Sequence, residues 1–215
     1  MKSNKTYAVF GLGRYGIAVA RVLVENGMEV IAVDTDDRIV SDAAAYLPVC
    51  KCADVTDSEV ISRLGIGNID TVIVCMASSL EASVMAITLC KEVVKTVIAK
   101  CADEMQQKIL LRVGADQVVF PENESGIRLA KNLVSSGFID MISLSKDVSM
   151  VEIDVKDEWC GKNLIELNLR KKYGFNIVAI KKGEDVNVNI NPEQALDAES
   201  SLIVIANTEK LGKLK

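Results

Sequence analysis

Six short runs rich in Val, Ile or Ala fall in the first 120 residues, with a helical pattern of apolar residues between each and the next. Strands are expected at Thr6 to Phe10, Glu29 to Val33, Val49 to Cys52, Thr71 to Met76, Thr96 to Cys101 and Gln117 to Phe120. Helices are expected between them, at Ile17 to Asn26, Arg38 to Tyr46, Ser58 to Leu64, Glu81 to Val94 and Asp103 to Val113. Strands that are apolar at consecutive positions, with a helix after each, belong to a parallel sheet covered on both faces. Right-handed crossovers then make a Rossmann-type, doubly wound α/β sheet the simplest topology.

The rhythm changes after Pro121. Glu122 to Phe138 reads as one helix, with Ile127, Leu129, Ala130, Leu133 and Val134 on a broad apolar face, suited to a crossover or dimerisation element. A second, smaller α+β unit follows. It has a strand at Met150 to Val155, a helix around Lys162 to Leu169 and a strand at Asn176 to Ile180. Val186, Val188 and Ile190 mark an edge strand, and Leu202 to Ala206 a central one. The expected division is a nucleotide-binding domain at 1–121, a crossover linker at 122–145 and a small C-terminal domain at 146–215. A module of that last size is close to the lower limit for independent stability, so it is expected to lean on a partner copy.

Chemistry concentrates at Gly11-Leu12-Gly13-Arg14-Tyr15-Gly16. Alone, G-x-G-x-x-G is a weak signal; between a strand and a helix it becomes a strong one. Gly11 permits a tight turn, Gly13 lets the backbone approach a phosphate, and Gly16 allows close helix–strand packing. The helix N-terminus adds N–H groups and partial positive charge. Asp34 closes the second strand about 20 residues on, where a carboxylate accepts hydrogen bonds from ribose hydroxyls. Asp36 and Asp37 would repel a 2′-phosphate, which disfavours NADP. Asp54 ends the third strand, either beside an adenine or simply as a turn residue. Arg14 adds a full charge beside the loop, which suits the terminal phosphate of ATP or ADP better than the bridging pyrophosphate of NAD. The alternative for Arg14 is a solvated side chain at a helix start.

Composition removes most rivals. The chain has 215 residues and a formal net charge of -5, which argues against general affinity for nucleic acid or anionic lipid. No apolar run approaches the roughly 20 residues of a membrane span, and the start lacks the apolar stretch of a signal peptide, so a cytosolic protein is expected. There is no histidine, so the commonest general base is missing. Cys50, Cys75 and Cys101 read as small buried hydrophobes, and the paired spacings of a zinc site are missing. Residues 146–215 are too few for the substrate domain of a dehydrogenase, and Ser125-Gly126 is no nucleophile elbow. A repressor would need a helix-turn-helix or a basic patch, and the sequence offers neither. A NAD(H)-binding redox sensor or small oxidoreductase remains the alternative.

The glycine loop, the Asp34 strand end and Ala53-Asp54-Val55-Thr56 together resemble the RCK-domain regulatory subunits of Ktr/Trk potassium uptake systems. The likeness spans nearly the whole chain. It includes the helix after Phe120-Pro121-Glu122, and the module with Gly161-Lys162-Asn163-Leu164 and Arg170-Lys171-Lys172-Tyr173-Gly174. The resemblance implies a cytoplasmic homodimer that assembles into a ring, an octamer, at the inner face of the membrane under a membrane-embedded potassium transporter subunit. ATP would favour the conducting shape and ADP the closed one. It places Gly11, Leu12, Gly13, Arg14, Tyr15, Gly16, Asp34, Asp54 and Val55 at the nucleotide. It also implies a divalent cation or sodium at Glu122, although Glu122 and Glu124 also suit a plain helix start. Cyclic di-AMP in the C-terminal module would meet Leu169, Arg170, Asn176, Ile177 and Pro192, a lining that serves equally well as a dimer core.

Overall fold

The computed structural model describes residues 5–134, 140–207 and 211, and the chain divides into two compact units, Met1–Glu122 and Asn123–Lys215. In the first, β1 (Thr6–Phe10), β2 (Glu29–Asp34), β3 (Cys50–Cys52), β4 (Thr71–Val74), β5 (Thr96–Lys100) and β6 (Gln117–Val119) form one sheet. The helices between them are α1 (Arg14–Glu25), α2 (Asp37–Ala43), α3 (Ser58–Arg63), α4 (Leu80–Lys91) and α5 (Glu104–Val113). Every strand pair is parallel, in the order β3-β2-β1-β4-β5-β6. The expected Rossmann-type sheet is therefore present.

The parallel sheet explains why its strands are apolar at successive positions. Val9, Val30, Ala32 and Ile73 face a core shared with Leu12, Ala20 and Leu47. Their neighbours Ala8, Phe10, Val33, Val72 and Val74 face a second core with Ala86, Ile87 and Val97. A strand that must satisfy a core on each side keeps its interior positions apolar and leaves polar residues to its ends. Each large side chain buried this way stabilises the unit by about 1.5–3 kcal/mol.

Helix starts are set by short polar side chains. Asp36, Asp57, Ser79 and Asp103 cap α2, α3, α4 and α5, each accepting a backbone N–H from its own first turn. α1 differs: Gly13 stands at its N-cap, no side chain caps it, and its first turn holds no acidic residue. It also begins at Arg14 rather than Ile17, because Gly16 sits inside the first turn against Gly11. β4 stops at Val74, two residues short of the expected end, and Cys75 and Met76 turn away to line the crevice described below.

α6 (Pro121–Val134) begins in the first unit and continues into the second. Ile127, Leu129 and Leu133 on it are exposed, and positions 135–138 of the expected helix lie outside the described residues. The second unit comprises β7 (Asp140–Ser143), β8 (Val148–Asp154), α7 (Leu164–Leu167), α8 (Leu169–Tyr173), β9 (Asn176–Lys182), β10 (Asp185–Asn187) and β11 (Ser200–Asn207). Its sheet is antiparallel, in the order β10-β9-β11-β8-β7, with β11 central as expected. Strand β7 is not expected from the sequence, because it is a four-residue edge strand, too short to show a period of two. The single helix expected near Lys162 to Leu169 is two short ones, because Asn168 adopts a left-handed conformation (φ 45°) between them. Asn163 and Glu166 close a capping box at the first.

Candidate functional site

In a parallel sheet wound outward from its middle, ligands gather where the strand order reverses. Here that point lies between β1 and β4, which are neighbours although the chain visits β2 and β3 between them. Their carboxyl ends open into a cleft of about 690 Å³ lined by residues from both halves of the sheet. Gly11, Gly13, Asp34, Asp54 and Val55 line it, as five of the residues expected at the nucleotide. Thr35, Ile39, Met76, Ser79, Ala82 and Met85 also line it and were missed. Ser78-Ser79 between a strand and a helix is the one signal that could have found part of that wall, since it marks a second helix start at a strand end.

The three glycines have different reasons to be glycine. Gly11 has φ +87°, and a Cβ there would stand 3.0–3.2 Å from Met76 and from the Cys75 backbone. A Cβ on Gly16 would stand 1.9 Å from the Gly11 carbonyl oxygen, so helix and loop touch only because both positions lack side chains. Gly13 has an ordinary φ of -64°, and a Cβ there would meet nothing within 4 Å. Nothing in the fold demands glycine at position 13. What its absent side chain leaves is open space at the start of α1, an end that no side chain caps and whose dipole favours an anion.

Asp34 ties the loop to the second strand. Its Oδ2 accepts the Leu12 N–H at 2.6 Å and its Oδ1 accepts the Asp36 N–H at 3.0 Å. A carboxylate offers about four lone-pair sites, so capacity for ribose hydroxyls remains. Leu12 contributes only that N–H; its side chain is buried in a core. Asp54 is a turn residue and a cleft residue at once. It accepts from the Thr56 N–H (2.9 Å) and hydroxyl (2.7 Å), which hold its carboxyl below the usual range. Val55 has one edge on the cleft and its bulk in a core.

Arg14, Tyr15 and Gly16 do not line the main cleft. They border an adjoining hollow of about 490 Å³ with Ala18, Lys100 and Glu122, and the two recesses share Gly13 and Cys75. Lys100 Nζ lies 2.6 Å from Glu122 Oε1 and 5.9 Å from the centre of the Tyr15 ring. The Lys100 ammonium, through that hydrogen bond, pulls the Glu122 carboxyl below its ordinary value. Glu122 thus already has a cation, and among the described residues no group of three or more His, Cys, Asp or Glu side chains is placed to hold a metal ion. A lone carboxylate engaged by lysine does not make a metal site within one chain.

In the second unit, Arg170, Asn176 and Pro192 are exposed. Leu169 lies in the core, and Ile177 packs against that core. Cys90 and Cys101 are buried, as small hydrophobes would be. Cys75 is half-buried, and burial pushes its thiol up to about 12, far from a reactive thiolate. No helix among the described residues is long and apolar enough to cross a membrane.

A six-stranded parallel sheet with a glycine loop at its switch point, joined to a small antiparallel unit, is the architecture of a TrkA-type two-domain protein. The TrkA-N domain model matches residues 7–121 and the TrkA-C domain model residues 148–215. The chain belongs to that family, as the resemblance to Ktr/Trk subunits implied. It is 36% identical over 213 residues to Ktr system potassium uptake protein C of Bacillus subtilis (strain 168), covering 99% of this chain and 96% of that one. Ktr system potassium uptake protein A of the same organism is 31% identical over 213 residues, with the same coverage of each. Among solved structures, the GsuK channel matches 99% of this chain with a TM-score of 0.71 at 18% identity. This chain spans 39% of that channel's length, and the likeness is one of fold.

Proposed function

We propose that this chain is the nucleotide-sensing regulatory subunit of a potassium uptake system, binding ATP or ADP in the cleft of its first unit. The observation that carries the reading is Gly13, a glycine that no packing or backbone constraint explains, at the uncapped start of α1 and on the rim of both recesses. An adenosine would lie toward Asp54 and Val55 with its ribose on Asp34. Its phosphates would cross Gly13 toward the hollow that carries Arg14 and Lys100. The family supports the transport role, since relatives that share 31–36% identity over nearly the full chain are named as potassium uptake proteins. The subunit is read as a responsive component rather than an enzyme, in keeping with a chain that lacks histidine.

In this reading the subunit is cytoplasmic and forms dimers that close into an octameric ring against a membrane-embedded potassium-transporting partner. ATP and ADP then act by binding two ring shapes unequally, the only way a ligand can shift such an equilibrium. A cation at Glu122 would have to displace Lys100, and a second copy of the chain would have to supply further ligands. Cyclic di-AMP in the second unit would rest on exposed Arg170, Asn176 and Pro192 at a dimer surface.

The test is calorimetric titration of nucleotide-stripped protein with ATP, ADP, NADH and cyclic di-AMP. Tight ATP and ADP binding with weak NADH is expected. Tight NADH with negligible ATP would replace this reading with a redox sensor.

A further inference from the structure

We infer that Lys100 is an exchangeable counter-ion, which holds Glu122 when the phosphate site is empty and passes to the terminal phosphate of a bound nucleoside triphosphate. This rests on the nucleotide reading above and adds to it a switch within the first unit.

Lys100 ends β5, the strand beside β4, so the sheet delivers its side chain to the far side of the glycine loop. The side chain is 14% exposed, while its partner Glu122 is 64% exposed. An ion pair with so exposed a carboxylate is weak, because water screens it and competes for it. A terminal phosphate offers up to two charges and three acceptor oxygens in the same recess. Arg14, by contrast, is exposed, and its guanidinium has no ion-pair partner among the described residues. Lys100 is the cation already committed to a partner that a phosphate can outbid. Its transfer leaves Glu122 without a counter-charge in the first turn of α6, the helix that leads out of the unit. The number of phosphates on the nucleotide is thereby read at the start of the connecting helix. A diphosphate, one phosphate shorter, leaves the Lys100–Glu122 pair in place.

The experiment is titration of the full-length, nucleotide-stripped protein with ATP and with ADP, in sodium-free buffer containing a chelator. Lys100→Met is expected to weaken ATP about tenfold or more while leaving ADP within about threefold. Glu122→Gln, which releases Lys100 from its competitor, is expected to tighten ATP. Lys100→Arg is expected to keep most of the ATP preference. A purely structural ion pair would give losses of the same sign in the Met and Gln variants. An unchanged ATP-to-ADP ratio in Lys100→Met, or weaker ATP binding in Glu122→Gln, overturns the inference while the nucleotide reading stands. Wild-type protein that binds neither nucleotide overturns both.

Discussion

The two units solve the same burial problem with different sheets, and the difference explains why the first has a cleft at its strand ends. The parallel sheet of the first unit carries a core on each face, so the interior positions of β1, β2, β4 and β5 are apolar and the strand ends point the same way. Those aligned ends, with helix starts above them, leave a crevice where the winding reverses. Among the described residues the antiparallel sheet of the second unit carries one core, built from Val151, Ile153, Leu167, Leu202 and Val204. Its strands β8 and β11 alternate between that core and a half-buried outer face. There Glu152 accepts hydrogen bonds from Lys181 Nζ (3.1 Å) and the Ser201 hydroxyl (2.6 Å). Strand ends in such a sheet alternate in direction, so no switch point forms. The cleft of the first unit follows from topology, whereas a site in the second would depend on what individual side chains offer.

The two units are expected to melt separately. Trp159 is the chain's single tryptophan and is buried in the second unit, so its fluorescence reports that unit alone. Phe175→Ala removes a fully buried ring that stacks 5.4 Å from Tyr173. It should cost the second unit about 3–5 kcal/mol, seen as an earlier Trp159 transition, with nucleotide binding retained. Gly16→Ala should cost the first unit at or above the upper end of the roughly 1–3 kcal/mol typical of overpacking, because the clash is with backbone. Far-UV circular dichroism should then lose the first unit while Trp159 stays buried. A single shared transition in both variants would show that the units fold as one.

Two smaller effects sharpen the assignment of the cleft. Asp34→Asn should weaken every adenosine ligand by roughly 1.5–3 kcal/mol, the worth of a hydrogen bond to a charged group, as read by calorimetry. Unchanged ATP affinity would place the ribose elsewhere. Gly13→Ala should change the fold by no more than about 0.5 kcal/mol, since its Cβ meets nothing. A loss of ATP binding at an unchanged melting temperature is the signature of a glycine kept for its ligand.

Acid should also separate the units. Asp54, Asp70, Asp116 and Glu122 in the first unit are held below their ordinary values by hydrogen bonds from Thr56, Thr6, Val97 and Lys100. In the second unit Asp197 is held down in the same way by Lys182. A depressed carboxyl contributes stability that is complete above its unfolded value and is lost as pH falls toward its folded one. Acidification from about pH 4.5 toward about pH 3 should therefore cost the first unit more than the second. Circular dichroism against Trp159 fluorescence at each pH checks the order.

Much of the first unit was legible because each local signal had one physical solution. Continuous apolar strands required a covered parallel sheet, and glycines between a strand and a helix required a close backbone approach. The second unit was read less well. Asn168 breaks a helix by taking a left-handed conformation, which asparagine tolerates without announcing it. β7 is too short to carry a period. Leu169 illustrates a different limit: apolar residues expected at a ligand and apolar residues required by a core look alike in sequence, and Leu169 lies in the core.

The Rossmann-type sheet, the glycine loop and the carboxylate at the end of β2 follow from residue order alone, because these depend on neighbours within one strand–turn–helix unit. Only the tertiary structure decided that Ser79, Ala82 and Met85 complete the cleft, and that Arg14 faces a separate hollow. It also decided that Lys100 reaches Glu122. Those placements depend on β1 lying beside β4 and β5 beside β6, pairings between segments about 20 to 65 residues apart. Local propensity carries no record of such pairings; they are settled only when every buried face finds its partner at once.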